Sequence, residues 1–265
     1  MRYIAAIAAA VALAGTGAAQ ETRQARGKRV VMEALQALGG DAYQQMQNRV
    51  ETGRAYSFYR EEISGLSLAT IYTEYLAPSP GKVSEREREA FGTKQDSGAL
   101  LLTEQGGWDI SFRGARPLDD QRYKNFQDST LHNILYILRQ RLQEPGMSFY
   151  SQGADVYERE PVELVDITDA ANFTVTVYFS QITKLPVRQV YRRRNPQFHD
   201  FDTEETVFSK YRDVGGGVKW PYDVWRQRNG EKVYEMYSTS VEINKDLKAG
   251  LFELPGNIKI LPTVK

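Results

Sequence analysis

Phe173-Thr174-Val175-Thr176-Val177-Tyr178-Phe179-Ser180 is the stretch that decides the fold. Phe173, Val175, Val177 and Phe179 alternate with Thr174, Thr176, Tyr178 and Ser180, a strict two-residue period that places four large apolar side chains on one face of a strand. Leu185 to Arg194, Thr203 to Val214, Val218 to Arg228 and Lys232 to Ile243 follow at strand-like lengths. Gly215-Gly216-Gly217 and Asn229-Gly230 separate the last three, and Asn-Gly is a strong signal for a tight hairpin turn. This half of the chain reads as an antiparallel meander.

The same period runs upstream. From Val50 it places Tyr56 and Phe58 on one face, and Leu66 to Leu76 is rich in Ile, Thr and Tyr before Pro78-Ser79-Pro80-Gly81 ends it. Lys82 to Phe91 alternates Glu85, Glu87 and Glu89 against Arg86 and Arg88, which reads as a strand wet on both faces, hence an edge or rim. Gly98 to Thr103, carrying Leu100 and Leu102, and Gly107 to Phe112 continue the series.

Two helices interrupt the strands. Thr22 to Leu38 carries Val30, Val31, Ala34, Leu35 and Leu38 on one stripe, with Gly39-Gly40 as its stop. From about Asp119 to Gln143 a single long helix is expected. Tyr123, Phe126, Leu131, Ile134, Leu135, Leu138 and Leu142 share one face of it. The sum is an α+β fold of about ten strands, one strongly curved antiparallel sheet. It forms an unclosed β-barrel with helices lying across the concave face. Those helices either fill the curve as a solid core or lid it over an apolar cavity, and periodicity alone does not separate the two.

Composition bounds the function. The chain has 265 residues, 41% of them hydrophobic, with 34 Lys plus Arg against 34 Asp plus Glu. Balanced charge argues against bulk nucleic-acid binding. The absence of Cys excludes disulfide scaffolds, thiol catalysis and a lipid-modified N-terminal Cys. Residues 1–19 read as a secretory signal: Arg2, an apolar run from Ile4 to Leu13, then Gly17-Ala18-Ala19 as a small-x-small cleavage site. The run is shorter than the ~20 residues a spanning helix needs. The expectation is a periplasmic protein whose residues 20–265 form one domain.

Catalytic signatures are missing. There is no G-x-S-x-G elbow, no phosphate loop and no distinguishable carboxylate pair, so no enzyme, cofactor or metal is expected. His132 lies beside the apolar face of the long helix and reads as a structural histidine. His199 opens the acidic stretch His199-Asp200-Phe201-Asp202, which reads as a solvated turn rather than a cation site. Arg192-Arg193-Arg194 reads as a charged strand end, with a membrane phosphate contact as its rival.

With the order of elements set out, the chain resembles the periplasmic outer-membrane lipoprotein-sorting (lipoprotein carrier) family. The stretches that carry the resemblance are Leu38-Gly39-Gly40, Pro80-Gly81-Lys82, Phe91-Gly92 and Gly106-Gly107-Trp108. Val177-Tyr178-Phe179-Ser180 with Lys184-Leu185-Pro186-Val187-Arg188, and Phe208-Ser209-Lys210-Tyr211-Arg212, add to it. So do Gly217-Val218-Lys219-Trp220-Pro221 and Phe252-Glu253-Leu254-Pro255. The resemblance implies a half-barrel with a helical lid over a cavity for acyl chains. Its partners would be lipid or lipoprotein cargo, with membrane-bound donor and acceptor proteins. Tyr56, Phe58, Leu100, Leu102, Ile134, Leu135, Leu138, Phe173, Val175, Val177 and Phe179 are the candidate cavity residues. The alternative is a periplasmic protein-binding or scaffold module with the same fold and a filled core.

Overall fold

The computed structural model describes residues 21–92, 98–195, 198 and 200–263. The expected signal segment and His199 lie outside these.

Thirteen strands form one antiparallel sheet in the order β6-β5-β4-β3-β2-β1-β13-β12-β11-β10-β9-β8-β7. On one side of the seam stand β1 (Asn48–Tyr59), β2 (Glu62–Tyr75), β3 (Glu85–Phe91), β4 (Gly98–Thr103), β5 (Gly106–Ser111) and β6 (Gly114–Pro117). On the other stand β7 (Ser148–Tyr157), β8 (Glu160–Thr168), β9 (Thr174–Ser180), β10 (Pro186–Arg194), β11 (Phe201–Asp213), β12 (Lys219–Arg228) and β13 (Glu231–Ile243). Two meanders are thus joined where β1 pairs with β13, with Glu51 opposite Val241 and Ala55 opposite Met236. The sheet curls but does not close, since β6 and β7 are its outermost strands.

The strand count exceeds the expected ten because β6, β7 and β8 carry weak signals. β6 has only four residues, and the polar edge strand β7 lacks clean alternation. The β7–β8 turn is made by Glu158 (φ 49°) and Arg159 (φ 70°), which adopt left-handed backbone without the usual Asn-Gly. The Asn229-Gly230 turn does join β12 to β13, with both residues left-handed.

Helix α1 (Arg23–Leu38) starts where Thr22 accepts a hydrogen bond from the Ala25 amide, and ends at Gly39, φ 126°. Its buried stripe of Val30, Val31, Ala34, Leu35 and Leu38 lies on the concave face of the β7–β13 half. A short helix α2 (Asp41–Gln44) follows, and Tyr43 donates to the Leu135 carbonyl at 2.8 Å.

The expected long helix is broken. Helix α3 (Asp120–Leu131) stops at His132. A new turn, α4 (Ile134–Tyr136), restarts at Asn133 and runs into a π-helical turn, Ile137–Arg141. Asn133 has extended backbone (ψ 125°) and its side chain accepts from the Leu135 amide, which is N-cap behaviour inside an otherwise continuous apolar pattern. Gln189 on β10 accepts from the Ile134 amide at 2.7 Å and fixes the restart. Ile134, Leu135, Ile137 and Leu138 are buried in the core, whereas α3 buries no residue.

Residues 118–147 therefore form a strap that leaves the sheet at β6 and re-enters it at β7, linking its two outermost strands over the concave side. The C-terminal segment covers the opposite face. Phe252, Leu254 and Ile258 pack on Ala99, Leu101, Ile110 and Ala115, and the backbone of Ala115 bonds to Lys259 and Leu261 along the β6 edge.

Candidate functional site

Both alternatives left open by the periodicity occur, in different parts of the curved sheet. Under α1, α2 and α4 the curve is filled. Val165, Ile167, Val175, Val177, Phe179, Leu185 and Phe208 join the helical stripe in one core. Under α3 the curve is not filled, and a cavity of about 400 Å³ opens between the strap and strands β1–β4 and β10–β13. That is within the range of small-molecule sites, roughly 300–1,000 Å³.

Register explains what lines it. Glu51, Ile71, Glu89 and Leu100 stand directly opposite one another across β1, β2, β3 and β4, and so do Arg49, Thr73, Glu87 and Leu102. Opposed residues share a face, so the row Glu85, Glu87, Glu89 of β3 points into the cavity between leucines and a threonine. β3 is an interior strand, not the edge or rim its charges implied. Its other face is satisfied separately. Arg86 pairs with Glu104 at 2.6 Å and Glu74 at 3.6 Å, and the buried Arg88 donates to the Leu251 carbonyl.

The cavity is mixed rather than apolar. Leu118, Phe126, Leu135, Trp220, Val224 and Met236 supply the apolar part. Several charges are internally matched: Glu204 holds Arg193 and Arg228, both at 2.8 Å. Arg49 lies 3.4 Å from Glu51, and Glu51 accepts from Ser238. The β3 row is not matched in this way. Among the described residues no cation lies within 4.0 Å of Glu85, Glu87 or Glu89. Burial, then the neighbouring Glu87, pushes the Glu85 and Glu89 carboxyls up to about 8.

Leu100, Leu102 and Leu135 line the cavity. Ile134, Leu138, Val175, Val177 and Phe179 sit in the solid core beside it, each at most 1% exposed. Tyr56 and Phe58 lie on the opposite face of β1 from Ala55 and Glu51, and Lys232 covers the Phe58 ring at 4.8 Å. Phe173 stacks on His132 with ring centroids 3.5 Å apart. The residues that sequence reading missed are Glu85, Glu87, Glu89, Trp220 and Met236. The signal for the glutamates was their strict alternation, read as solvation when it marked a face.

His132 is structural. Its Nδ1 stands 2.5 Å from the Asp128 carbonyl oxygen, so it carries the proton, and Nε2 is 3.4 Å from Asp169. Burial holds its pKa below the ordinary value. Arg141 ties the same Asp169 to Glu144 and to the Leu131 carbonyl, clamping the strap's end. Arg193 of the basic run faces the cavity through Glu204, whereas Arg192 is exposed over the Phe201 ring. Among the described residues no group of three or more His, Asp or Glu side chains is placed to hold a metal ion, and no helix is long and apolar enough to cross a membrane.

No protein-family model matches the chain, and no curated protein matches it in sequence. Solved structures do match in shape. An outer membrane lipoprotein-sorting protein domain from Vibrio parahaemolyticus superimposes with a TM-score of 0.58 at 9% identity, covering 86% of this chain and 96% of its own. A DUF1329 family protein from Desulfovibrio piger gives 0.58 at 11% identity, covering 88% and 98%. A LolA superfamily protein from Nitrosomonas europaea gives 0.51 at 9%, covering 85% and 96%. At such identities the likeness is one of fold, and at that level the resemblance read in the sequence holds: this chain has the fold of the outer membrane lipoprotein-sorting and LolA superfamily proteins.

Proposed function

We propose that the protein is an exported, non-enzymatic carrier of lipid or lipoprotein, which holds the acyl part of its cargo in the cavity beneath α3. The observation that carries this reading is the 400 Å³ cavity roofed by a helix that buries none of its own residues. A roof held loosely is what loading and release require. Each CH₂ moved from water into such a site gains about 0.8 kcal/mol, and part of that gain must be given back by strap movement at release.

The fold likeness to lipoprotein-sorting proteins supports the cargo class, and the expected signal at residues 1–19 supports a periplasmic location. Residues 20–265 form the carrier domain, and membrane-bound donor and acceptor proteins are its partners. Leu100, Leu102 and Leu135 are the proposed chain contacts. The second reading, a protein-binding or scaffold module, draws on the solid core that α1 forms with the β7–β13 half.

The experiment is organic-solvent extraction of the purified protein with mass spectrometry, and titration of an uncharged fluorescent alkyl probe followed through the probe's own emission. Co-purified lipid and saturable binding are expected. Neither lipid nor saturation would leave the scaffold reading standing.

A further inference from the structure

The row on β3 is a poor place to put three carboxylates if the cavity served only an alkyl chain. Glu85 is 7% exposed, lines the cavity, and among the described residues no hydrogen bond or ion pair meets its carboxylate. A buried charge without a partner is costly, and natural structures pair or neutralise it. Glu87 takes a hydrogen bond from Thr73 at 3.3 Å, and Glu89 stands next to Glu87 on the same strand face. Of the nearby cations, Arg226 lines the cavity on the Glu89 side and lies over the Tyr234 ring at 4.7 Å, and the two nearest Glu85 are engaged elsewhere. Arg49 is held by Glu51, Tyr75 and Thr73, and Arg139 donates to the Met46 carbonyl.

From this we infer that the cavity recognises a cationic head group, a primary ammonium carried on an apolar chain. The inference rests on the carrier reading and narrows its cargo. Successive glutamates on one strand face stand about 6.6–6.8 Å apart, so the carboxylates of neighbours converge on one small cation between them. An ammonium brings three donors on a compact charge and fits two carboxylates at once. Leu100 and Leu102, directly across from Glu89 and Glu87, leave an apolar wall for the chain beside the head. The raised carboxyl pKa values fit the same picture, since a bound cation supplies the charge that burial now withholds. A carboxylate head group would meet like charge at the same place.

The test uses isothermal titration of the intact protein with dodecylammonium, dodecanol and dodecanoate below their aggregation thresholds. The same titrations are run on Glu85→Gln and on the double variant Glu85→Gln/Glu87→Gln. Dodecylammonium is expected to bind about tenfold tighter than dodecanol or more. The double variant loses that preference while its dodecanol affinity stays unchanged, and that unchanged affinity shows the cavity is still folded. Equal binding of the three probes, tighter binding of dodecanoate, or an ammonium preference that survives both substitutions overturns the inference and leaves the carrier reading intact. Failure of all three probes to bind sinks the carrier reading and this inference together.

Discussion

Arg49 lies with its guanidinium carbon 4.0 Å above the ring of Trp220, so the cation that balances Glu51 is also stacked between the seam strand β1 and the cavity wall of β12. Glu51 is 5% exposed and, among the described residues, has no other cation within ion-pair distance. Removing one member of a buried pair leaves the other charged and unsolvated, which costs about 3–5 kcal/mol. Arg49→Met is therefore expected to lose stability of that order by urea denaturation. Arg49→Met/Glu51→Leu recovers most of it, because no orphaned charge remains.

Gly27 sits in the middle of α1, where alanine would raise helix propensity by about 1 kcal/mol. Tertiary packing opposes this. A Cβ there would meet the Phe149 carbonyl carbon and oxygen at 2.8 Å and the Ser151 amide nitrogen at 2.9 Å, all backbone of β7. Overpacking against atoms that cannot rotate away costs about 1–3 kcal/mol. Gly27→Ala is expected to lower the thermal midpoint of the protein while raising helicity in an isolated α1 peptide, both readable by circular dichroism.

The Glu158-Arg159 turn stores strain in two left-handed non-glycine residues. Each costs roughly 1–2 kcal/mol, partly recovered by the chain entropy that glycine would forfeit. Glu158→Asn/Arg159→Gly is expected to stabilise the β7–β8 hairpin by about 1 kcal/mol in chemical denaturation.

Acid acts on His132. A folded pKa held below the ordinary 6.5 means that its contribution is complete above that value and is lost as pH falls through the folded pKa. Wild type should lose more of its urea midpoint between pH 7.5 and pH 5 than His132→Asn does. Equal losses in the two proteins would show that the residue does not titrate this way.

Alkali acts on the β3 row with the opposite sign. Glu89, raised to about 8, favours its neutral form in the fold. Its contribution is complete below about 4.5 and disappears as pH rises through about 8. Glu89→Gln should therefore be more stable than wild type at pH 9, with the gain shrinking at pH 5.

Strand identity was legible wherever alternation was clean, as at Val175, Val177 and Phe179, and helix α1 was legible from Thr22 to Gly39. The break at Asn133 was not, because Leu131, Ile134, Leu135 and Leu138 keep helical spacing across it. What stops the helix is that the Leu135 amide donates to the Asn133 side chain and the Ile134 amide donates to Gln189, more than fifty residues away. The cavity itself was legible only in part. Alternation gives faces but not which face a helix covers, so Val175 and Leu100 looked alike, and only α1 lying over one half separates them. The glutamates of β3 misled because charge on a strand ordinarily means water.

The strap at residues 118–147 has its two ends on the two outermost strands, so it is to the curled sheet what a string is to a bow. Its effective length sets how far β6 and β7 stand apart, and hence how deeply the sheet between them bends. Enlarging the cavity is then coupled to a flattening of the whole sheet, shared over thirteen strands. Insertions or deletions in the strap would retune the size of the cavity without altering a residue of the β framework.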